Sequence, residues 1–413
     1  MKETTVIIGA GIIGLAIAVT LCREGVDVLL VEAEEAPCRG ASRGNAGHIA
    51  TEQVYPVADA AMLREIPKML LDPLGPLRID WRYLPRLLPW ALKTAANLRA
   101  APYAKSHAAL LAINNHSLNA WRAFAKHWQL EDLLHVEGSL LTCEKTTTAN
   151  KLRAHGATLN ALGIPSHYLD ARELHEREPA LAANQLGALF FPDTAHVSDL
   201  DAMSSRLLQH FLAMGGRLQT HCRILGGQIT DSGIILASEQ GEIRAARVVI
   251  AAGAFAKPLV KNLTGIRVAL DTERGYHLML PSETQRLSIP VSSADRRFIM
   301  TPMTGGLRLA GTVEYAGLSA PPNMARAHNL LPLAQGMFHA PLDATAASPW
   351  MGCRPTTSDS LPVIDRQGSV YLAFGHQHLG LTQAAITAEA MAALFFERPP
   401  PLNLAPFALQ RFA

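Results

Sequence analysis

The stretch that most constrains the fold stands at the start of the chain. There an apolar run at residues 4–8 meets a glycine-rich turn at 9–14 and a second apolar run at 15–21. This order predicts a buried strand, a tight turn and a helix. A further, largely apolar run at 26–31 predicts the neighbouring strand, which ends at Glu32. The four segments together are typical of a Rossmann-like unit, in which parallel strands are joined through helices.

The spacing of the three glycines indicates what this turn binds. Gly9 allows the tight turn, Gly11 lets the backbone approach a pyrophosphate, and Gly14 lets the helix pack closely on the strand. Glu32 lies about 20 residues further on, where its carboxylate can accept hydrogen bonds from the hydroxyls of an adenosine ribose. The stretch therefore predicts a dinucleotide site, and on its own it allows NAD, NADP or FAD.

Length and composition limit the class of protein. A chain of 413 residues exceeds the size at which one hydrophobic core keeps growing, so we expect two domains. The hydrophobic share of 49% and the charged share of 17% are typical of a globular enzyme and exclude a disordered or fibrous chain. A formal charge of +2 gives no reason to expect a nucleic acid partner.

The cysteines and the apolar runs indicate the compartment. The five cysteines lie far apart, with no CxxC pair and no histidine at metal-ligand spacing. We expect reduced thiols in a cytoplasmic protein, and no metal site. Residues 1–22 fit a signal peptide poorly, since Glu3 and the turn glycines interrupt the pattern. No window reaches about 18 uninterrupted apolar residues, so the sequence predicts no transmembrane helix.

A basic and aromatic segment at residues 62–105 has two interpretations. Its basic residues outnumber the acidic ones and are interleaved with Trp81, Tyr83, Trp90 and many leucines. The basic residues are Arg64, Lys68, Arg78, Arg82, Arg86, Lys93, Arg99 and Lys105. One interpretation is a solvated helical face over a core. The other is peripheral contact with an anionic membrane, on the cytoplasmic face of the inner membrane.

The remaining chain predicts helices and strands in separate blocks. Residues 58–130 have a helical pattern that prolines break into several short helices. Short strands follow between 217 and 244. The last block repeats the order of the first, with a strand at 370–374, a glycine turn at 375–380 and a helix from about 381 to 396. The free N–H groups at the start of that helix would point at whatever lies before it.

The order of these blocks predicts the domain organisation. Three strand-to-glycine elements, at residues 4–14, 247–253 and 370–380, are spread over the whole chain. A nicotinamide dehydrogenase usually completes its binding domain in one stretch, whereas this arrangement is typical of a flavin domain assembled from separate segments. We therefore predict an α/β fold: a Rossmann-like FAD-binding domain built from discontinuous segments, with an inserted α+β substrate domain that carries a mostly antiparallel sheet. The predicted boundaries are 1–60, 195–265 and 345–413 for the FAD-binding domain, and 61–194 and 266–344 for the substrate domain.

Taken together, the motifs resemble those of one family, the D-amino acid dehydrogenase branch of the flavin-dependent D-amino acid and glycine oxidase superfamily. The resemblance covers nearly the full chain. It rests on the first glycine turn with Glu32, on Ser42 with residues 45–47, and on residues 251–254, 350–359 and 375–382. It implies FAD and the oxidative deamination of a D-amino acid, with electrons passed to a quinone or another acceptor. Cys353 stands one position from the cysteine that carries the flavin in some relatives, so we expect noncovalent FAD.

The resemblance also implies which residues hold FAD. Glu32 would bind the adenosine ribose, the backbone near Ile224 the adenine, and residues 42–48 would pass along the pyrophosphate and the flavin ring. The helix after Gly380 would stabilise the negative charge of reduced flavin. The full set is Gly9, Gly11, Gly14, Glu32, Ser42, Asn45, Ala46, Gly47, Ile224, Ala252, Gly253, Gly375, Gly380, Leu381 and Thr382.

Three residues are the main candidates for the substrate side. Arg354 has the planar guanidinium that matches a carboxylate with two parallel hydrogen bonds, and the resemblance gives it that role. Tyr276 matches a family position whose hydroxyl helps to hold the same carboxylate, although a tyrosine in a strand is otherwise a core residue. His48 either faces the substrate or only satisfies a backbone group. His376 and His378 have the same two interpretations.

Several alternatives stay open at the level of the sequence. The closest enzymes are a D-hydroxyproline or D-proline dehydrogenase and a glycine or sarcosine oxidase that uses oxygen. A nicotinamide dehydrogenase is a further one. A different class is a flavin subunit whose main task is assembly with an electron-transfer partner. The substrate pocket comes from the inserted domain and follows no motif, so the sequence predicts neither the substrate side chain nor the oligomeric state.

Overall fold

The computed structural model describes residues 3–72 and 74–413, and the side chains of these residues except 60–64. The strands are β1 (Thr5–Ile8), β2 (Val28–Val31), β3 (His48–Ile49), β4 (Leu77–Ile79), β5 (Leu134–His135), β6 (Ser139–Cys143), β7 (His167–Asp170), β8 (Gly187–Phe191), β9 (Ala195–Val197), β10 (Arg217–Gln219), β11 (Ile224–Thr230), β12 (Gly233–Ser238), β13 (Gly241–Ala245), β14 (Arg247–Ile250), β15 (Leu270–Leu280), β16 (Val291–Ser293), β17 (Phe298–Met303), β18 (Gly306–Tyr315), β19 (Ser348–Thr357), β20 (Val363–Gln367) and β21 (Val370–Phe374). The α-helices are α1 (Ile12–Arg23), α2 (Ala60–Leu71), α3 (Leu84–Asn97), α4 (Ala100–Trp128), α5 (Thr146–Ala161), α6 (Ala171–Arg177), α7 (Leu200–Ala213), α8 (Ala256–Thr264), α9 (Ala325–His328), α10 (Leu330–Gln335) and α11 (Ala384–Phe395).

A six-stranded sheet in the order β10-β2-β1-β14-β21-β20 forms the first half of the molecule. All its strands run parallel except β20. The central strands are apolar on both faces, because α1 and α11 cover one face while β11, β12 and α8 cover the other. Strands β1, β2, β14 and β21 end at one edge, the place where open α/β sheets bind ligands. The Rossmann-like fold from discontinuous segments is confirmed.

A nine-stranded sheet forms the second half. Eight strands follow the order β19-β15-β18-β17-β16-β6-β8-β7, and β4 pairs with β18. Only the pairs β16 with β6 and β18 with β4 are parallel among those described, so the prediction of a mostly antiparallel sheet is confirmed. Strand β19, which lies in the predicted FAD-binding segment 345–413, pairs with β15 along ten residues of this second sheet. The domain boundaries stay predictions.

Prolines shorten the helices less than we predict. Residues 58–130 form three helices, and α4 alone has 29 residues. Pro67 and Pro89 lie inside α2 and α3 instead of ending them, and Pro73 lies outside the described residues. An internal proline costs about 3 kcal/mol. In α3 the neighbouring Trp90 is buried and donates a hydrogen bond to the Thr356 carbonyl oxygen at 3.0 Å, which ties the helix to β19. In the described part of the chain, no helix is long and apolar enough to cross a membrane.

The last helix begins three residues later than predicted. Regular α-helix starts at Ala384, and residues 380–383 form a turn before it. The turn is already helical in its bonding, since the Gln383 N–H donates to the Leu379 carbonyl at 2.9 Å. Its free N–H groups therefore keep the direction that the sequence predicts.

Candidate functional site

One large cavity of about 1010 Å³ lies between the two sheets, at the edge where the parallel strands end. Its volume is at the upper end of the usual range for small-molecule sites, about 300–1,000 Å³. The predicted site residues that border it are Gly9, Gly11, Glu32, Ser42, Asn45, Ala46, His48, Ile224, Ala252, Gly253, Tyr276, Arg354, Gly375, Gly380 and Leu381. Gly14, Gly47 and Thr382 do not border it.

The first glycine turn has the backbone that its sequence predicts. Gly9 has a φ of +99°, and a Cβ there would lie 2.7 Å from the Ala251 carbonyl oxygen. A Cβ on Gly14 would lie 1.9 Å from the Gly9 carbonyl oxygen, so α1 packs on β1 more closely than any side chain allows. Gly11 precedes the first residue of α1 and borders the cavity. The positive end of α1 thus faces the cavity without an acidic residue in its first turn, which favours an anion such as a pyrophosphate.

Glu32 borders the cavity directly after β2, and its carboxylate is held in place. Oε2 accepts a hydrogen bond from the Ala10 N–H at 2.6 Å, and Oε1 accepts one from the Glu34 N–H at 3.0 Å. An ionised carboxylate accepts up to about four hydrogen bonds, so both oxygens keep capacity for two ribose hydroxyls. Ile224 borders the same cavity at the start of β11.

The loop that contains residues 42–47 is fixed from both sheets. Ser42 Oγ accepts a hydrogen bond from the Ile12 N–H at 3.0 Å, at the start of α1. Asn45 Oδ1 accepts one from the Gly47 N–H at 2.9 Å. From the other side, Arg308 of β18 donates to the Asn45 carbonyl oxygen at 2.6 Å. Burial lowers the pKa of Arg308 to about 10, which leaves it cationic at neutral pH. The sequence analysis missed Arg308, because nothing in its local pattern links it to this loop.

In the described part of the chain, the last glycine turn has N–H groups without backbone partners, and two of its residues, Gly380 and Leu381, border the cavity. The N–H groups of Gly380, Leu381 and Thr382 make no backbone hydrogen bond within the described residues. Two long-range bonds fix their position. The indole of Trp121 donates to the Leu381 carbonyl oxygen at 2.8 Å, and Thr382 Oγ1 accepts from the Ala50 N–H at 2.9 Å. The turn therefore faces the loop after β3, with the positive end of the helical turn toward the cavity.

Arg354 borders the cavity from β19 with most of its donors free. Among the described residues its guanidinium makes one hydrogen bond, a long contact of 3.5 Å from Nη1 to the Thr312 carbonyl oxygen. Gly275 leaves the space that the guanidinium fills, since a Cβ there would lie 2.3 Å from Arg354 Cζ. Burial lowers the pKa of Arg354, and the charge of Glu273, which faces it across the strand pair, counteracts that effect. A buried cation with free donors suits a carboxylate ligand.

Tyr276 does not join Arg354. Its hydroxyl donates to Glu314 Oε2 of β18 at 2.5 Å and accepts from the Asn323 N–H at 3.1 Å, so both of these hydrogen bonds are made within the protein. Successive residues of a strand point to opposite faces, and Gly275 already faces Arg354. The predicted pairing of Tyr276 with Arg354 on one carboxylate is therefore not supported by the geometry.

The three candidate histidines differ in their surroundings. His48 lies in β3, and burial together with His196 and His378 lowers its pKa to about 3. Its Nε2 is buried and has no hydrogen-bond partner in the described structure. His376 is buried at the border of the cavity, and its Nε2 lies 3.1 Å from Thr387 Oγ1. His378 borders the cavity, and its Nε2 donates to Gln53 Oε1 at 2.7 Å. His48 thus has the free atom that a ligand-facing residue needs.

Comparisons with known proteins agree with this geometry. A family model described as FAD dependent oxidoreductase matches residues 4–394. The D-amino-acid oxidase of Bradyrhizobium diazoefficiens is 33% identical over 98% of this chain and 98% of its own length. The D-amino acid dehydrogenase 2 of Pseudomonas aeruginosa is 31% identical over 98% of this chain and 97% of its own length.

Solved structures share the fold at lower identity. A glycine oxidase from Geobacillus kaustophilus superposes with a TM-score of 0.74 at 22% identity and full coverage of both chains. An L-proline dehydrogenase from P. horikoshii superposes with a TM-score of 0.72 at 16% identity, covering 100% of this chain and 98% of its own. Both likenesses concern the fold of the whole chain.

Proposed function

The chain belongs to the FAD-dependent oxidoreductase family, and from this premise we propose that it catalyses the oxidative deamination of a D-amino acid. The observation that carries the proposal is the buried Arg354 guanidinium, which borders the cavity with most of its donors free. The relatives named D-amino-acid oxidase and D-amino acid dehydrogenase support the substrate class and its stereochemistry.

The cavity fits FAD, because it combines the features that a dinucleotide needs. The N-terminus of α1 behind Gly11 would bind the pyrophosphate, and Glu32 would accept hydrogen bonds from the ribose. Ile224 would lie against the adenine. Residues 42–47 and 380–382 would hold the flavin ring. FAD, when bound, supplies the acceptor for a hydride and becomes negatively charged on reduction, and the free N–H groups of the last turn would stabilise that charge.

Noncovalent binding is supported by the position of Cys353. Cys353 also borders the cavity, but neighbouring residues of β19 point to opposite faces, so its thiol lies on the face opposite to the Arg354 guanidinium. Cys353 pairs with Arg274 across the strands, and burial raises the pKa of its thiol. A protonated thiol is a weak nucleophile. We therefore propose that FAD is held by hydrogen bonds and packing alone.

Arg354 would orient the substrate. Its free donors would bind the carboxylate in the bidentate way that a planar guanidinium allows. Fixing the carboxylate fixes the Cα–H relative to the flavin ring, and such positioning supplies much of the rate in reactions of this type. Because Gly275 has no side chain, the guanidinium fills the space beside it.

A row of exposed apolar side chains supports peripheral membrane contact and hence a quinone acceptor. The row consists of Leu71, Leu74, Trp81, Leu84, Leu88 and Leu92, which are 37% to 84% exposed. Exposed basic residues lie among them, namely Arg78, Arg82, Arg86 and Lys93. The side chain of Arg64 lies outside the described residues. Apolar side chains flanked by cations match an anionic lipid surface on the cytoplasmic side, where membrane quinones can be reached.

The proposal is tested by mixing the purified protein anaerobically with D- and L-amino acids, hydroxyproline and proline isomers, glycine and sarcosine. We expect D-amino acids to bleach the flavin absorbance. Bleaching only by glycine and sarcosine, or only by proline analogues, would replace the proposed substrate class. If a quinone reoxidises the reduced flavin faster than oxygen does, the result would support a dehydrogenase. Turnover by the isolated chain with an artificial acceptor would argue against a purely structural flavin subunit.

A further inference from the structure

A second buried charge borders the cavity, and its sequence context gives no sign of it. Glu52 follows β3, and its side chain is only 10% exposed. Its Oε2 is buried and has no hydrogen-bond partner within the described residues. Its Oε1 lies 3.9 Å from Nε2 of His48, which is itself buried and unpartnered. No lysine or arginine of the described side chains forms an ion pair with Glu52.

A buried carboxylate oxygen without a partner needs an explanation in such a place. Buried polar groups in native proteins are almost always hydrogen-bonded, and a buried charge without a partner is costly. The groups around Glu52 supply no cation at neutral pH: burial lowers the pKa values of His48, His196 and His378 to about 3, 4 and 4. Burial raises the pKa of Glu52 itself to about 7. The Glu52 backbone and the Gln53 side chain counteract that rise through hydrogen bonds to the carboxylate. Oε2 is the oxygen that is left without a partner among the described residues.

Glu52 and Arg354 belong to one connected set of groups. His378 donates to Gln53, the residue next to Glu52, at 2.7 Å. The charge of Arg354 contributes to the lowered pKa of His378, and His378 contributes to that of His48. The cavity wall therefore carries a cation with free donors and, through His378, a carboxylate with a free oxygen. An amino acid zwitterion carries the two complementary charges, on an ammonium and a carboxylate group that are bonded to the same carbon atom.

We propose that Glu52 binds the α-ammonium group of the substrate and accepts one proton from it. This inference rests on the proposed amino acid oxidation and deepens it. Arg354 holds the carboxylate, Glu52 holds the nitrogen, and the two contacts together fix the chirality of the Cα that can present its hydrogen to the flavin.

The proton balance explains why such a group is useful. An ammonium nitrogen has no lone pair, so it cannot assist loss of a hydride from Cα. Transfer of one proton from nitrogen to the Glu52 carboxylate leaves a neutral amine and a neutral carboxylic acid. The Cα–H bond then breaks, its electron pair leaves with the hydrogen as hydride to FAD, and the nitrogen lone pair forms the C=N bond. The substrate has lost one proton to Glu52 and one hydride to FAD, and the product is an iminium.

The pH dependence follows from these charges. Glu52 acts only as a carboxylate, so in the wild type the rate constant of flavin reduction at low substrate rises as the pH passes about 7. In Glu52→Gln no carboxylate remains, and only substrate that is already neutral at nitrogen reacts. The rising limb then moves to the pKa of the substrate amine. At pH 7 we expect Glu52→Gln to lose about 10²-fold or more, the usual contribution of a positioned general base, and to recover most of it at high pH.

The test is anaerobic stopped-flow reduction of the holoenzyme between pH 6 and 10, with a D-amino acid that bleaches the wild type. The variants are Glu52→Gln, Glu52→Asp and, as a matched control, Glu178→Gln. Glu178 is also a buried glutamate, but its carboxylate accepts hydrogen bonds from Ser288 and Ile289 and does not border the cavity. We expect the rate constant of flavin reduction in Glu178→Gln to rise with pH as it does in the wild type. Flavin absorbance and melting temperature establish that each variant is folded.

A second readout does not depend on turnover. Binding of a 2-hydroxy acid, which lacks the ammonium group, is followed by its perturbation of the flavin spectrum. We expect Glu52→Gln to bind it at least as tightly as the wild type. The inference would be overturned if the rate constant of flavin reduction in Glu52→Gln and its pH dependence equalled those of the wild type. It would also be overturned if the rate fell only for substrates with a polar side chain.

Two further outcomes are decided in advance. If Glu52→Gln does not retain FAD, the inference is tested with Glu52→Asp. In that variant we expect flavin reduction to be slower than in the wild type, and its rate constant still to rise near neutral pH. An aspartate variant with wild-type rate and limb would overturn the inference. If no amino acid bleaches the wild type, the proposed function fails instead, and that result is seen before any variant is made.

Discussion

The space beside Gly275 allows a sharp test of how Arg354 is held. In Gly275→Ala the new Cβ would lie 2.3 Å from both Cζ and Nη2 of Arg354. Carbon atoms in contact stay about 3.5–4.0 Å apart, so the guanidinium must move by more than about 1 Å. A misplacement of about 1 Å typically costs on the order of 10²-fold in rate. We expect kcat/KM for the amino acid substrate to fall by about that factor.

The same substitution should leave the fold intact. Gly275 has no left-handed φ, and the atoms that its Cβ would meet belong to the mobile end of a side chain. Alanine in place of glycine within a strand is slightly stabilising on its own. Melting temperature and FAD content therefore stay close to the wild type, and the loss appears in kcat/KM. The matched control is Gly305→Ala, whose Cβ would meet only Met279 Cε at 3.3 Å. Wild-type kcat/KM in Gly275→Ala would refute the assigned position of the guanidinium.

Three further predictions concern the frame of the site and its surface. Gly14→Ala should destabilise the protein by at least about 1–3 kcal/mol, because its Cβ would overlap the Gly9 carbonyl; a thermal melt equal to that of the wild type would contradict the packing. Thr382→Val leaves a buried N–H unpaired and should cost about 1–3 kcal/mol, with Thr382→Ser close to the wild type; equal stability of both variants would remove the hydroxyl from the account. Leu88→Ser should weaken flotation with vesicles rich in phosphatidylglycerol, while Leu212→Ser, at another exposed leucine, should not; equal binding of both variants would argue against the membrane surface.

The parts of the site that the sequence predicts are those formed by local backbone geometry. Gly9, Gly14 and Glu32 act through a turn, a close contact and a strand end, and each depends on a few neighbouring residues. The sequence also predicts the last glycine turn, although the regular helix after it begins at Ala384. Residues 380–383 form a turn before that helix, and the Trp121 indole donates hydrogen bonds to the Leu381 and Thr382 carbonyls.

The parts that the sequence does not predict depend on register and on distant residues. Strand β15 is buried along nearly all of its 11 residues, so no alternation of polar and apolar residues shows which face Tyr276 takes. Only the pairing with β19 shows that Gly275, and not Tyr276, faces Arg354. Glu52 reads as an ordinary polar loop residue, and its missing partner becomes visible only when the cavity is assembled.

The most direct test of the central claim is anaerobic titration of wild type and Arg354→Ala with the amino acid that bleaches the flavin. Each hydrogen bond to a charged partner contributes about 1.5–3 kcal/mol, and about 1.4 kcal/mol corresponds to a factor of ten. We therefore expect Arg354→Ala to retain FAD and to raise the apparent Kd for the substrate by about 10²-fold or more. Retention of FAD with wild-type affinity for the amino acid would contradict the account, because the cavity would then bind its substrate without the one cation that we assign to the carboxylate.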